Sequence, residues 1–279
     1  MPPVILEQIW VYPVKSLAGI SLQSATLLPS GLAGDREWML VDSDGVFLSQ
    51  RKLPRMATIR TELQNGELVL SHQRDGEVVV SPTEGESRPV KVWNSMCSGY
   101  PARPEVNKWL QQALATDMDL QLVYFDKSVP RPTNPERFGP YQTYFSDGAP
   151  YLCTNLESLR ALNQHLMLAG TASVDVRRFR PNLVFSGLPA FAEHEVQSLR
   201  AATGDAVLGL KDHCQRCAII TVDQSTGVPT PDQHPFAALA QINSMPGKPK
   251  APAFGVNTVL LAGEDREIRC GEQWQVAES

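Results

Sequence analysis

The chain has 279 residues, 42% of them hydrophobic, which is enough to bury one large core or two ordinary ones. Its formal net charge of -5 gives no general attraction for nucleic acid or for an anionic membrane, so an anionic ligand has to be met by local cations. No run approaches the roughly 20 apolar residues that span a bilayer, and the start MPPVILEQIW lacks the basic region and apolar core of a signal peptide, so a cytoplasmic protein with no membrane or nucleic-acid partner is expected.

From residue 5 to about residue 92 the pattern is one of short strands. Asp44-Gly45, Asn65-Gly66 and Asp75-Gly76 each separate alternating apolar segments, which predicts three hairpins in a meander or small barrel. Residues 104–115 switch to helical spacing through Val106, Trp109, Leu110 and Leu114, and LQLVYF then reads as a return strand. Residues 129–145 hold four prolines in a polar context and read as an ordered loop or linker, placing a boundary between a unit 1–125 and a unit 126–279. Thr154 followed by Glu157 has the capping-box pattern and predicts a helix with Leu156, Leu159, Leu162 and Leu166 on its apolar face. Beyond it, NLVFSG, AVLGL and CAIITV read as strands, residues 229–252 as a proline-rich excursion, and NTVLLAG and EQWQV as closing strands. With 22 prolines and 19 glycines punctuating short β-branched runs, the expected class is mainly β with some α (α+β). Trp93 and Trp109 are expected to anchor the core.

The five cysteines, Cys97, Cys153, Cys214, Cys217 and Cys270, are scattered and odd in number, unlike a secreted disulfide framework. Two of them form the segment HCQRCAIITVD. Structural zinc would want two further ligands, and only His213 lies close. A thioredoxin-like dithiol belongs at a helix N-terminus, whereas this pair precedes a β-branched run. A single soft ligand or nucleophile, with Arg216 favouring its thiolate, is a third meaning, and two buried cysteines leading into a core strand a fourth. Cationic side chains also recur beside turns: Lys15-Ser16, Asp35-Arg36, Arg51 and the run Arg177-Arg178-Phe179-Arg180-Pro181-Asn182. Guanidinium groups with Ser, Asn and backbone amides suit a phosphate, although each cation alone is equally a solvated surface residue. His213 reads as an ordinarily hydrogen-bonded histidine, with Glu193 and His194 as a minor possibility for moving protons near a substrate.

Seven motifs occur in an order that resembles the MOSC superfamily: PVKSLAG (13–19), GDREWMLVD (34–42), LSQRKLPRMA (48–57), FSDGAPYLCTNLESLRALN (145–163), RFRPNLVFSG (178–187), CQRCAIITVDQSTG (214–227) and FGVN (254–257). The chain is similar above all to the branch holding YcbX-type proteins and the mitochondrial amidoxime-reducing component. That resemblance implies an N-terminal MOSC β-barrel part packed on a MOSC β-barrel domain, and a molybdenum cofactor (Mo-molybdopterin) whose metal is ligated by the second cysteine of C-x-R-C, here Cys217. It implies cofactor contacts from Lys15 and Ser16, from Arg36, from Arg180 and Asn182, from Gln215 and Arg216, and from the D-G-A stretch Asp147, Gly148 and Ala149. Asn257 is the remaining expected cofactor contact and stands where some relatives place an aromatic residue, as Gln215 stands where many have Ser or Thr. The four-cysteine run of the YcbX-type ferredoxin domain is not in this sequence, so no iron-sulfur cluster is expected in the chain.

The reaction implied is reduction of small N-hydroxylated substrates at Cys217-bound molybdenum, with electrons from a separate reductase, ferredoxin or flavoprotein partner. The resemblance also implies an alternative: a sulfur carrier or cofactor-transfer domain, in which a pyridoxal-phosphate-dependent cysteine desulfurase on another chain charges Cys217. A metal-free binding scaffold is the third possibility.

Overall fold

The strand Val4–Val11 lies at the centre of the architecture, although it opens the chain. In the computed structural model, which describes residues 3–81, 85–230 and 232–277, it pairs with Leu183–Ser186 on one side and Gln273–Val276 on the other. Its buried positions begin as Val4 and Leu6 and continue as Ile9 and Val11. A bulge between Leu6 and Gln8 makes that change of phase, because one extra residue turns the next set of side chains to the same face.

Following the hydrogen bonds around gives a closed barrel of seven strands. Leu183–Ser186 runs parallel to Tyr151–Asn155, which pairs with the long strand Lys248–Ala262. Val207–Gln215, Ser198–Ala201 and Gln273–Val276 complete the circuit back to Val4–Val11. Closure removes exposed edges. Leu6, Ile9, Phe185, Leu208 and Trp274 fill the interior. Gly255 sits where two barrel strands approach: its φ is +73°, and a Cβ there would lie 2.6 Å from the Cys153 carbonyl oxygen.

A second core, with Leu40, Leu48, Met56, Leu70, Leu110 and Leu122 at its centre, belongs to the N-terminal half. Here Trp38–Asp42, Leu120–Phe125, Ser95–Pro101 and Arg88–Val92 form an antiparallel sheet covered by the helix Pro104–Leu114. The meander Arg60–Gln64, Glu67–His72, Gly76–Val80 adds two of the expected hairpins. Asn65 and Gly66 form the two-residue turn of the first with φ of +51° and +83°, the mirror-image turn that matches strand twist. At Asp44-Gly45 the chain does reverse, but the return is made by a single antiparallel bridge, Phe47 to Val41, while Val46 bridges to Lys91.

Several local expectations need correction. CAIITV is no strand: Ala218–Thr221 forms a 3-10 turn, with Ile220 and Thr221 buried against the neighbouring layer. The helix Leu156–Leu168 is capped by Asn155, whose side chain accepts from the Glu157 N–H, while Thr154 remains inside a strand. Trp93 is not in either core; it stands 43% exposed on a hairpin tip. Trp109 does pack on the N-terminal core and donates its indole N–H to the Asp75 carbonyl.

The expected boundary near residue 125 is crossed by the chain itself, since Val4–Val11 is a barrel strand of the C-terminal half. A fragment comprising residues 126–279 therefore lacks one stave and exposes the flanks of two others; circular dichroism and amide dispersion are expected to report it unfolded. In the whole chain, Ile9→Ala should cost roughly 2–5 kcal/mol in urea unfolding.

Candidate functional site

One cavity of about 600 Å³ opens between the two halves, and all twelve residues expected at the site line it. Lys15 and Ser16 arrive on the turn that leaves the first strand, and Arg36 on the turn before Trp38–Asp42. Asp147, Gly148 and Ala149 come from the loop before Tyr151–Asn155. Arg180 and Asn182 follow the 3-10 turn Val176–Phe179; Gln215, Arg216 and Cys217 end Val207–Gln215; Asn257 lies on Lys248–Ala262.

The backbone at this wall is strained. Ser16, Arg36, Arg180 and Trp93, four of the nine described non-glycine residues with positive φ, all line the cavity. Arg180 is left-handed (φ +55°) immediately before Pro181, a position that sterics push toward extended backbone. Such conformations persist only when the surroundings over-determine them, and they cluster at functional sites.

Each cation has its own tether. Arg36 donates from Nη1 to Asp35 Oδ2 (2.6 Å) and Asn182 Oδ1 (3.0 Å), and from Nη2 to the Arg180 carbonyl (3.0 Å). Asn182 is itself used up: its Oδ1 also accepts from Leu152 N–H, and its Nδ2 donates to the Trp10 carbonyl. Its part is to fix Arg36. Arg180 donates from Nη1 to the Leu17 carbonyl (2.7 Å), while its Nη2 is buried without a partner. Both guanidinium carbons lie over Tyr12, 4.4 Å and 4.2 Å from the ring centre. Arg216 donates to the Phe179 carbonyl (2.7 Å) and to Cys214 Sγ (2.9 Å), leaving its buried Nε unpartnered.

Lys15 is buried and donates to the Phe145 carbonyl (2.9 Å) and to Asp147 Oδ1 (2.5 Å). Burial lowers its pKa, and the pull of Asp147 only partly offsets this. The Asp147 side chain is 71% exposed on the cavity, and its Oδ1 also accepts from the Trp93 indole N–H (2.9 Å). Desolvation opposes ionisation of Asp147, yet the Lys15 charge and these donors hold its carboxyl well below the usual range.

Arg216 thus faces Cys214 rather than Cys217. Burial raises the Cys214 thiol and the Arg216 charge works against that rise. Both cysteines are free and reach the cavity, and Cys217 itself is half-buried at the N-terminal end of the 3-10 turn. Arg131 was missed in the sequence: it is buried in the proline-rich loop and donates to the Tyr144 (2.6 Å) and Ser146 (2.7 Å) carbonyls, shaping the Asp147 loop. Among the described residues no group of three or more His, Cys, Asp or Glu is placed to hold a metal by itself, so the site's distinctive donor is soft cysteine sulfur beside a cationic wall.

His213, His194 and Glu193 stand outside the cavity lining. The two histidine rings meet edge to face at 4.0 Å, and Glu193 is buried with Ser158 Oγ 2.7 and 2.8 Å from its carboxylate oxygens. A proton-moving role for Glu193 or His194 at this cavity is not supported by that placement. Burial pushes the Glu193 carboxyl up to about 7 from 4.5. Between those values the folded chain holds more protons than the unfolded one, so this group's contribution falls as pH rises from 4.5 through 7. Glu193→Gln is expected to raise the melting temperature at pH 8 and to leave it little changed at pH 4, as scanning calorimetry would show.

Comparison with known proteins finds two matching family profiles. A family profile described as the MOSC N-terminal beta barrel domain matches residues 4–117, and one described as the MOSC domain matches residues 140–275. A protein of Drosophila grimshawi named molybdenum cofactor sulfurase is 32% identical over 96% of this chain, and one of that name from Oryza sativa subsp. japonica is 32% identical over 98%. This chain spans only 34% of the length of each. Mitochondrial amidoxime-reducing component 1 of Homo sapiens is 30% identical over 80% of this chain and 67% of its own length.

Proposed function

Because the chain belongs to the MOSC family, we propose that it is a molybdenum-cofactor-dependent reductase of small N-hydroxylated compounds, with Cys217 as the metal ligand. A molybdenum-related function follows from the family; the reaction and the residue roles are the proposal. One observation carries them: a free thiol and seven lysine or arginine side chains, Lys15, Arg36, Arg51, Arg131, Arg137, Arg180 and Arg216, meet in one cavity of an acidic protein.

The cavity fits a phosphorylated pterin by its unspent donors. Arg180 Nη2 and Arg216 Nε are buried N–H groups without partners, an expensive state unless a ligand completes them. Lys15, Ser16 and Arg180 would hold the phosphate, Arg36 and Asn182 would support that wall, and Cys217 would hold the metal. When bound, a mononuclear molybdenum centre with one protein thiolate supplies two-electron exchange of an oxygen atom. The chain's own work is to orient the group, exclude bulk water and admit substrate past the rim. Two cysteines reach the cavity and three lie elsewhere, and the electron supply is assigned to a separate reductase, ferredoxin or flavoprotein.

The similarity to molybdenum cofactor sulfurases over nearly the whole chain favours a second reading, in which Cys217 carries a persulfide delivered by a cysteine desulfurase. Mass spectrometry after incubation with a desulfurase and cysteine separates the two: a persulfide on Cys217 in protein without molybdenum favours transfer.

For the reductase, protein from a cofactor-competent host is expected to contain molybdenum by elemental analysis and to reduce an amidoxime when given a chemical electron donor. Cys217→Ala should lose both properties with its circular dichroism unchanged, and Arg180→Leu should weaken cofactor retention roughly 10–100-fold. Molybdenum retained in full by Cys217→Ala would refute the assignment of the ligand.

A further inference from the structure

We propose that Trp93 is the specificity-determining residue of the cavity mouth, and that it selects substrates whose N–O group hangs from a flat aryl or heteroaryl ring. What the ring carries rests on the reductase reading above; that the mouth selects a ring rests on the geometry of the rim.

The hairpin between Arg88–Val92 and Ser95–Pro101 pairs Val92 with Ser95, so Trp93 and Asn94 make a two-residue turn. Turns of that length favour Asn or Gly because their backbone is left-handed. Trp93 adopts φ +55° there, a conformation that costs a residue with a Cβ roughly 1–2 kcal/mol. The side chain stays 43% exposed, so a large part of the indole is left open to whatever enters. A large indole at a strained and half-open position serves neither the turn nor the core.

Three contacts fix the ring instead. Its N–H donates to Asp147 Oδ1 at 2.9 Å, the Arg51 guanidinium lies 4.5 Å from its centre, and Phe47 packs against it at 4.9 Å with the planes tilted by 56°. Asp147 is held in turn by Lys15, so the orientation of the indole is tied to the cationic wall. Trp93, Arg51 and Phe47 line the same cavity as Cys217. A rigid π-face and a planar cation at the entrance reward a flat ring by stacking, whereas a small aliphatic group gains almost nothing from them.

Binding to the metal-free chain tests this without turnover. Benzamidoxime and acetamidoxime carry the same N–O group on an aryl and on a methyl substituent, and their binding can be followed by calorimetry and by quenching of indole fluorescence. Benzamidoxime is expected to bind about tenfold more tightly than acetamidoxime. Trp93→Leu should abolish the preference and the corresponding quenching, and Trp93→Phe should keep most of the preference; thermal unfolding checks the fold of each variant. Equal affinities in the unaltered chain, no measurable binding of either compound at millimolar concentration, or a preference that survives Trp93→Leu overturns the assignment. If the loaded protein reduces neither compound while the binding preference holds, the reductase reading fails and ring selection stands.

Discussion

Much of the cavity depends on how its buried cations are held: Arg131, Arg180 and Arg216 are each tethered by backbone carbonyl oxygens, from Tyr144 and Ser146, from Leu17 and from Phe179. A carbonyl dipole orients a guanidinium and satisfies part of its fork, but unlike a carboxylate it does not cancel the charge. Positive potential therefore survives inside a low-dielectric wall, where it acts more strongly than on the surface. The two carboxylates that do intrude have different settings. Asp35 is sealed against Arg36 and the Tyr12 N–H, whereas Asp147 opens on the cavity, within reach of whatever enters.

Keeping those carbonyls in place requires a backbone that regular strands do not supply. Arg180 leaves a 3-10 turn in the left-handed region, and Ser16 and Arg36 do the same on the facing segments. Tyr12, lying under both Arg36 and Arg180, gives the two like charges a common apolar support with a negative face. The barrel and the N-terminal sheet serve as rigid mounts, and irregular segments from several parts of the sequence carry the chemistry between them.

The parts of this arrangement that were legible in the sequence are those governed by local chemistry. Asn65-Gly66 announces its hairpin because few other pairs tolerate two left-handed residues, and the spacing of Val106, Leu110 and Leu114 announces its helix. The candidate wall was reached through ordered motifs, and its twelve expected residues do share one cavity. What stayed hidden was tertiary. CAIITV has strand composition, yet the turn after Cys217 and burial against neighbouring layers override the propensity. Trp93 looked like core because large aromatics usually are, and nothing local marks a hairpin tip that faces a cavity. Arg131 sat unnoticed in a proline-rich loop whose folding back onto residues 144–147 depends on long-range carbonyls. Arg216 follows Cys214 and precedes Cys217 by small steps, so only side-chain direction decides which sulfur it meets.

The bulged first strand has a consequence for biosynthesis. Its two barrel neighbours, Leu183–Ser186 and Gln273–Val276, are made long after it, so during translation Val4–Val11 leaves the ribosome with only the short strand Ile20–Leu22 at hand to pair with its second half. The barrel can seal only when the last of its staves emerges, and the cavity walled by Arg180 and Cys217 takes shape at that late moment. Any ligand that needs all of that wall can therefore enter only after synthesis, into a finished vessel rather than a growing one.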